Sequence, residues 1–225
     1  MPNELIFAFR IIIDLIFVAL LFRLGKAGLY AAIVVNLLLV SIWGGKLVNE
    51  FGFITNSGNV FYACVFLATN LLTEHYGKKE GFRSIIVGFS ALMLFMVMGQ
   101  TTLQLNGLPQ SQEIDTAMRA LFENIPRLAF ASMAAYLVSQ FLGVTIYDYL
   151  RNRFHKSHIW LRNAAAVFAG QFADSIIFFL IAFGGIVSDS ILLQAISAGF
   201  ALKVLIGLIS TPVLYWSQKV KSIAD

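Results

Sequence analysis

Seven stretches of the chain are apolar for long enough to cross a bilayer, and short polar or basic runs separate them. A membrane helix needs about 20 mostly apolar residues. The stretches run Leu5–Phe22, Leu29–Leu47, Gly58–Leu72, Phe82–Leu105, Pro126–Leu150, Trp160–Gly184 and Leu192–Trp216. Pro126 suits a first helical turn, where its missing N–H costs nothing. The longest connection, Asn106–Ile125, spaces Ile114, Met118, Leu121 and Phe122 for one face of a short amphipathic helix. The pattern predicts an all-α polytopic bundle of about seven transmembrane helices. No linker divides it, so residues 1–225 are expected to form a single integral membrane domain.

Composition agrees with the pattern. Hydrophobic residues make up 59% and charged residues 12%, and the mean hydropathy is +0.80. Soluble domains carry about 25% charged residues, so a soluble fold is excluded. The N-terminus is not read as a cleaved leader, because Glu4 precedes any basic residue and Arg10 and Asp14 interrupt the apolar run. Cys64 is the one cysteine, so no internal disulfide forms.

The placement of charge matters more than its net value of +4. When successive connections are assigned to alternate sides, one side holds Arg23, Lys26, Lys78, Lys79, Arg83, Arg151, Arg153, Lys156, Arg162, Lys219 and Lys221. The other holds Lys46, Arg119 and Arg127, together with Glu113, Asp115 and Glu123. Lysine and arginine accumulate on the cytoplasmic side. The expected topology is N-terminus outside and C-terminus cytoplasmic.

Small residues recur every four positions at Ala131, Ala135, Ser139 and Gly143, and again at Ala165, Ala169 and Ala173. This spacing lets membrane helices approach closely, so the fifth and sixth segments are expected to form a tight hairpin. The stretches 139–147 and 170–178 also look alike, as in an internal repeat.

Polar groups in hydrocarbon are costly, and each one needs a reason. Gln171 and Asp174 share a face of the sixth segment, and Lys203 lies at a similar counted depth in the seventh. An Asp174–Lys203 pair is expected, either as a purely structural ion pair or as a solute or proton-coupling site. Arg10 and Asp14, four apart, are expected to neutralise each other. Asn36, Asn70, Gln100, Gln104 and Gln140 are hydrogen-bonding groups that serve as helix–helix glue or, if several converge, as a site. His75, His155 and His158 fall in or beside basic-side loops without zinc-ligand spacing, so no metal is expected. No cofactor is expected either. Neither a phosphate-binding G-x-x-x-x-G-K-[ST] loop nor a G-x-S-x-G or H-E-x-x-H motif occurs, so the chain is not expected to be an enzyme.

The run Val65–Gly77, VFLATNLLTEHYG, resembles the helix-end motif D-x-x-x-E-x-Y-G of the queuosine precursor transporters, a vitamin-uptake-like integral membrane family. Pro126-Arg127 with Ala131-Ser132, Ser139-Gln140-Phe141, Gly170–Ser175 followed by Ile181–Gly184, and Lys203-Val204 with Pro212 also resemble it, in order, over about residues 30–216. The resemblance implies a six-helix core, with the first segment as an added helix. It also implies an inner membrane and import of a 7-deazaguanine base for tRNA modification. Such a base is the nitrile 7-cyano-7-deazaguanine, the aminomethyl base or queuine. Two positions depart from the family pattern: Asn70 and Gly143 stand where aspartates are usual.

A deazaguanine has a flat ring, an N–H and amino edge, and a carbonyl. A carboxylate and an amide can meet that edge. Asn70, Glu74, Gln140, Gln171, Asp174 and Lys203 are therefore the candidate substrate-binding residues. The expected partners are a nucleobase-like solute, the lipid bilayer and a possible second copy of the chain, but no nucleic acid. The alternative is a substrate-capture subunit that borrows ATPase partners.

Overall fold

A computed structural model describes residues 2–44, 46–122, 125–154 and 157–220. The expectations made for Glu123, His155, Lys156 and Lys221 lie outside the described residues. Seven long helices correspond one to one with the seven apolar stretches: α1 Asn3–Phe22, α2 Gly25–Trp43, α3 Asn59–Tyr76, α4 Lys78–Thr102, α6 Ile125–Arg153, α7 Ile159–Phe183 and α8 Asp189–Ile209. The shorter helices are α5, Gln112–Phe122, and α9, Thr211–Ser217. The chain is an all-α polytopic membrane bundle.

Six of the long helices are apolar enough to face lipid, and α3 is not among them. It is the centre of the bundle and packs on α1, α2, α4, α6, α8 and α9. Fifteen of its residues are buried, Asn70, Thr73 and Glu74 among them. A helix enclosed by protein can carry polar groups that a lipid-facing helix cannot. It also extends past the expected end at Leu72, and Gly77, at φ 87, then turns the chain directly into α4. Only glycine adopts that conformation without strain.

Contacts between ends confirm the alternation of connections. Asn3 donates to the Asn49 carbonyl and Phe7 packs edge-on to Phe51, so the N-terminus meets the α2–α3 connection. Arg127, at the start of α6, donates to the Ile181 and Gly184 carbonyls at 2.5 and 2.7 Å, satisfying carbonyls that the end of α7 leaves open. At the opposite end Tyr30 donates to Glu80 at 2.8 Å, and His75 meets Phe22 and Ser217. The start of α1 and the end of α9 therefore lie at opposite ends of the bundle.

Three expectations about elements are corrected. The second helix stops at Trp43 instead of Leu47, and an antiparallel hairpin follows, β1 Leu47–Glu50 with β2 Phe53–Asn56. Its two-residue turn, Phe51-Gly52, has φ of 55 and 81, the geometry that matches strand twist. The seventh stretch is not one helix: α8 ends at Ile209 and α9 begins at Thr211. Pro212 cannot donate to the carbonyl four residues back, which explains the break. On α7 the buried small residues are Ala166, Gly170, Ser175 and Ala182, while Ala165, Ala169 and Ala173 stay part-exposed. The close α6–α7 hairpin itself is present, and it is the most extensive helix pair in the bundle. The amphipathic α5 exposes Ile114, Met118 and Leu121, as its spacing predicts.

Candidate functional site

The site is built where α3, α6, α7 and α8 meet. Asp174 on α7 and Lys203 on α8 form a buried ion pair, Nζ donating to Oδ2 at 2.6 Å, with the residues 4% and 5% exposed. The pairing expected from their depth is therefore present. Tyr62 of α3 closes one side: its ring lies 5.2 Å from the Lys203 ammonium, and its hydroxyl shares a 2.9 Å hydrogen bond with Ser139 of α6. One turn along α3, Phe66 sits 5.7 Å from the Tyr62 ring and wedges between α6 and α7.

Around this pair, buried polar atoms have no partner among the described residues. They are both ends of the Gln171 amide, the Gln140 Nε2 and the Ser175 Oγ. Gln171, Asp174 and Ser175 occupy one face of α7 by their spacing, and Gln140 follows Ser139 on α6. An unpaired buried polar group costs about 1–3 kcal/mol, so a helix junction that keeps four such atoms is set up to receive a partner. Together they offer N–H donors, a carbonyl acceptor and a hydroxyl, beside the face of a tyrosine ring.

Asp174 and Lys203 form the junction itself, Gln171 shares the Asp174 face of α7 by its spacing, and Gln140 follows Ser139 on α6, whereas Asn70 and Glu74 lie elsewhere. Asn70 is two turns along α3 from Tyr62, about 12 Å. Its Nδ2 donates to Asn163 Oδ1 at 2.8 Å, and Asn163 in turn donates to the Gly207 carbonyl and Thr211 Oγ1, both at 3.0 Å. Glu74 lies a further turn away. It accepts from Arg162 at 2.8 and 3.3 Å, from Tyr147 at 3.2 Å and from Gln218 at 3.3 Å, with Arg151 Nε at 3.5 Å. Both its oxygens are engaged. Arg162, counted above among the charges of the basic side, is fully buried in α7.

The Arg10–Asp14 pairing is not formed. Arg10 reaches the Ser57 carbonyl and stacks 4.8 Å from the Phe61 ring, while Asp14 faces Asn36 and Cys64. Sequence reasoning also missed Tyr62, Ser139, Ser175 and Asn163. Ser139 and Ser175 did lie within the quoted motif pieces, which was the available signal. Two surface hollows, about 440 Å³ beside Met93, Gln100 and Phe130 and about 390 Å³ beside Lys78, Asp148 and Arg153, touch none of the junction residues.

A family profile described as "Putative vitamin uptake transporter" matches residues 56–217. A "Probable queuosine precursor transporter" of Bacillus subtilis (strain 168) is 33% identical over 222 residues, covering 97% of this chain and 96% of its own. The chain belongs to the queuosine precursor transporter family. A second "Probable queuosine precursor transporter", from Haemophilus influenzae (strain ATCC 51907 / DSM 11121 / KW20 / Rd), is 30% identical over 138 residues, 60% of this chain and 54% of its own. No solved structure matches. The Bacillus match covers too much of this chain to leave out α1.

Close packing at this junction makes one substitution informative. A methyl group on Gly170 would stand 2.4 Å from the Phe66 ring and 3.1 Å from the Ser139 carbonyl. Gly170→Ala in the transporter is therefore expected to cost about 1–3 kcal/mol, read as a lower unfolding temperature in detergent. Adding Phe66→Leu should recover most of the loss. A neutral Gly170→Ala would mean that the helices do not approach this closely.

Proposed function

We propose that this transporter imports a 7-deazaguanine precursor of queuosine and holds it at the Asp174–Lys203 junction midway through the bilayer. The carrying observation is the set of unpaired amides and hydroxyl, Gln140, Gln171 and Ser175, beside a neutralised ion pair and an aromatic face. Gln171 can donate to and accept from the edge of a guanine-like ring, Gln140 can donate to its carbonyl, and Tyr62 or Phe66 can cover its face. The junction residues are buried, so entry of a solute requires the helices to part, as in a cycle of alternating access. The basic end of the bundle faces the cytoplasm in this reading, with the hairpin outside in a bacterial or archaeal inner membrane.

The deciding experiment is salvage. The chain is expressed in a queuosine-deficient host, and modified tRNA is measured with each candidate base supplied. No modification with any base would end the proposal. Co-purification with ATPase subunits would favour the capture-subunit alternative.

The charge of the solute follows from the same geometry. Asp174 is neutralised by Lys203, Glu74 by two arginines, and Asn70 and Gly143 replace the family's usual aspartates. A cation entering this junction would find no uncompensated negative group to offset its desolvation. The nitrile base is expected to outcompete the cationic aminomethyl base in competition uptake. Equal or tighter binding of the aminomethyl base refutes the preference.

A further inference from the structure

Three carboxylates are buried in the described helices: Asp14 on α1, Glu74 on α3 and Asp174 on α7. Glu74 and Asp174 hold cations, but Asp14 has none within ion-pair distance and its Oδ2 has no hydrogen-bond partner. Its near neighbours are Asn36 of α2 and Cys64 of α3. The Asn36 amide nitrogen donates to the Ala32 carbonyl at 3.1 Å, and its Oδ1 is also unpartnered. Asp14 Oδ2 thus lacks a donor, and one proton on the carboxyl supplies it. We propose that Asp14 is a proton-binding site that couples solute movement to the transmembrane proton gradient, with Cys64 and Asn36 as the groups that hydrogen-bond its ionised form.

The environment selects a proton over a metal ion. Hard cations such as calcium take 6–8 oxygen ligands, whereas here two free oxygens face a thiol. A carboxylate buried in low dielectric without a directly paired cation favours its neutral form.

The other charged and titratable groups nearby are few. Arg10, one turn away on α1, is committed to the Ser57 carbonyl and the Phe61 ring. The hairpin brings Glu50 toward Arg10, and burial holds the Glu50 carboxyl above its ordinary range, with Arg10 pulling the other way and Glu4 adding to the rise. Lys203 of α8 is held by Asp174, His75 of α3 lies against Phe22 two turns further along α1, and α9 contributes only the exposed Tyr215.

Asp14 also lies beside the seam that reaches the solute junction. Phe7 and Ile11 of α1 pack with Val60 and Ala63 of α3 and with Leu202 and Ile206 of α8. Those are the helices that carry Tyr62 and Lys203. A charge appearing or vanishing at Asp14 therefore changes the packing of α1 on the two helices that frame the junction.

The proposal rests on the transport reading and not on the identity of the solute, and two measurements separate their failures. Infrared difference spectra of the full chain in liposomes, taken between acid and alkaline media, should show a protonated carboxylic C=O band. It should be lost in Asp14→Asn and kept in Glu50→Gln. Absence of that band, or its survival in Asp14→Asn, overturns the proton site whatever the solute is. Uptake of 7-cyano-7-deazaguanine should rise several-fold under an imposed inward proton gradient. Asp14→Asn should lose that response while keeping solute counterflow. A wild-type response to a sodium gradient alone, or a proton response that persists in Asp14→Asn, overturns the coupling role. If Asp14→Asn does not assemble, Asp14→Glu must keep the gradient response with a displaced pH midpoint; an unchanged midpoint counts against the proposal. Lack of any uptake by the wild type counts against the deazaguanine reading, and the infrared band still decides Asp14.

Discussion

Replacing Lys203 with methionine while Asp174 stays in place is expected to cost about 3–5 kcal/mol and to abolish uptake. Removing one partner of a buried ion pair leaves the other charge uncompensated in low dielectric, and that penalty is of this size. Here the pair is only 4–5% exposed and lies on two helices whose other faces meet lipid, so water cannot take over the role of the missing ammonium. Asp174→Asn should be nearly as damaging, because it strands Lys203 beside Tyr62 alone. The double variant Asp174→Leu with Lys203→Met should instead recover most of the stability, since a well-packed apolar pair of similar volume replaces an ion pair at little or no cost. Thermal unfolding in detergent gives the stabilities, and uptake in liposomes gives the function. Recovery of folding without recovery of uptake identifies the pair as part of the solute site. Recovery of both makes it a purely structural contact and moves the site to the amides.

The Asp174–Lys203 pair was legible in the sequence because hydrocarbon leaves a charge so few choices. Two opposite charges at similar depth on neighbouring helices have each other as the cheapest partner. The alternation of ends was legible for a similar reason, as lysine and arginine mark connections of one side. The same rule hid Arg162. Counting it among the basic-side charges gave it no inward role, whereas the chain folds it onto Glu74 inside the bundle. The polar content of α3 read as a line of site residues, but only its first two turns reach the junction. Farther along, Asn70 and Glu74 tie helices together. The Arg10–Asp14 pairing failed through an element that the pattern did not announce. The hairpin turn is Phe51-Gly52, without the Asn-Gly or Asp-Gly signal of such turns, and the segment that follows it presents the Ser57 carbonyl that Arg10 takes. The unpaired state of Asp14 is the consequence, and no periodicity could have displayed it.

Within the second polar layer, Glu74→Gln is expected to be the most damaging single change. Glu74 alone joins α3 to α6 through Tyr147 and Arg151, to α7 through Arg162, and to the residue after α9 through Gln218. Its loss takes the carboxylate away from Arg162, which is fully buried, and the cost should again be about 3–5 kcal/mol. Arg162→Met should cost less, because Glu74 keeps Arg151, Tyr147 and Gln218. Arg151→Met should cost least, about 1–2 kcal/mol, since its side chain retains access to water and its shortest contact is a single 2.9 Å hydrogen bond to the Glu74 carbonyl. Unfolding midpoints should therefore fall in the order Arg151→Met, Arg162→Met, Glu74→Gln, the last lowest. Equal losses at all three would mean that burial does not set the weight of each contact. The same series separates anchoring from binding. Arg151→Met remains folded, and its KM for the solute should match the wild type if this layer only fastens helices, about 18 Å along α3 from the junction at Tyr62. A KM raised several-fold in that variant would bring the solute to Glu74 and extend the binding path from the middle of the bundle to its basic end.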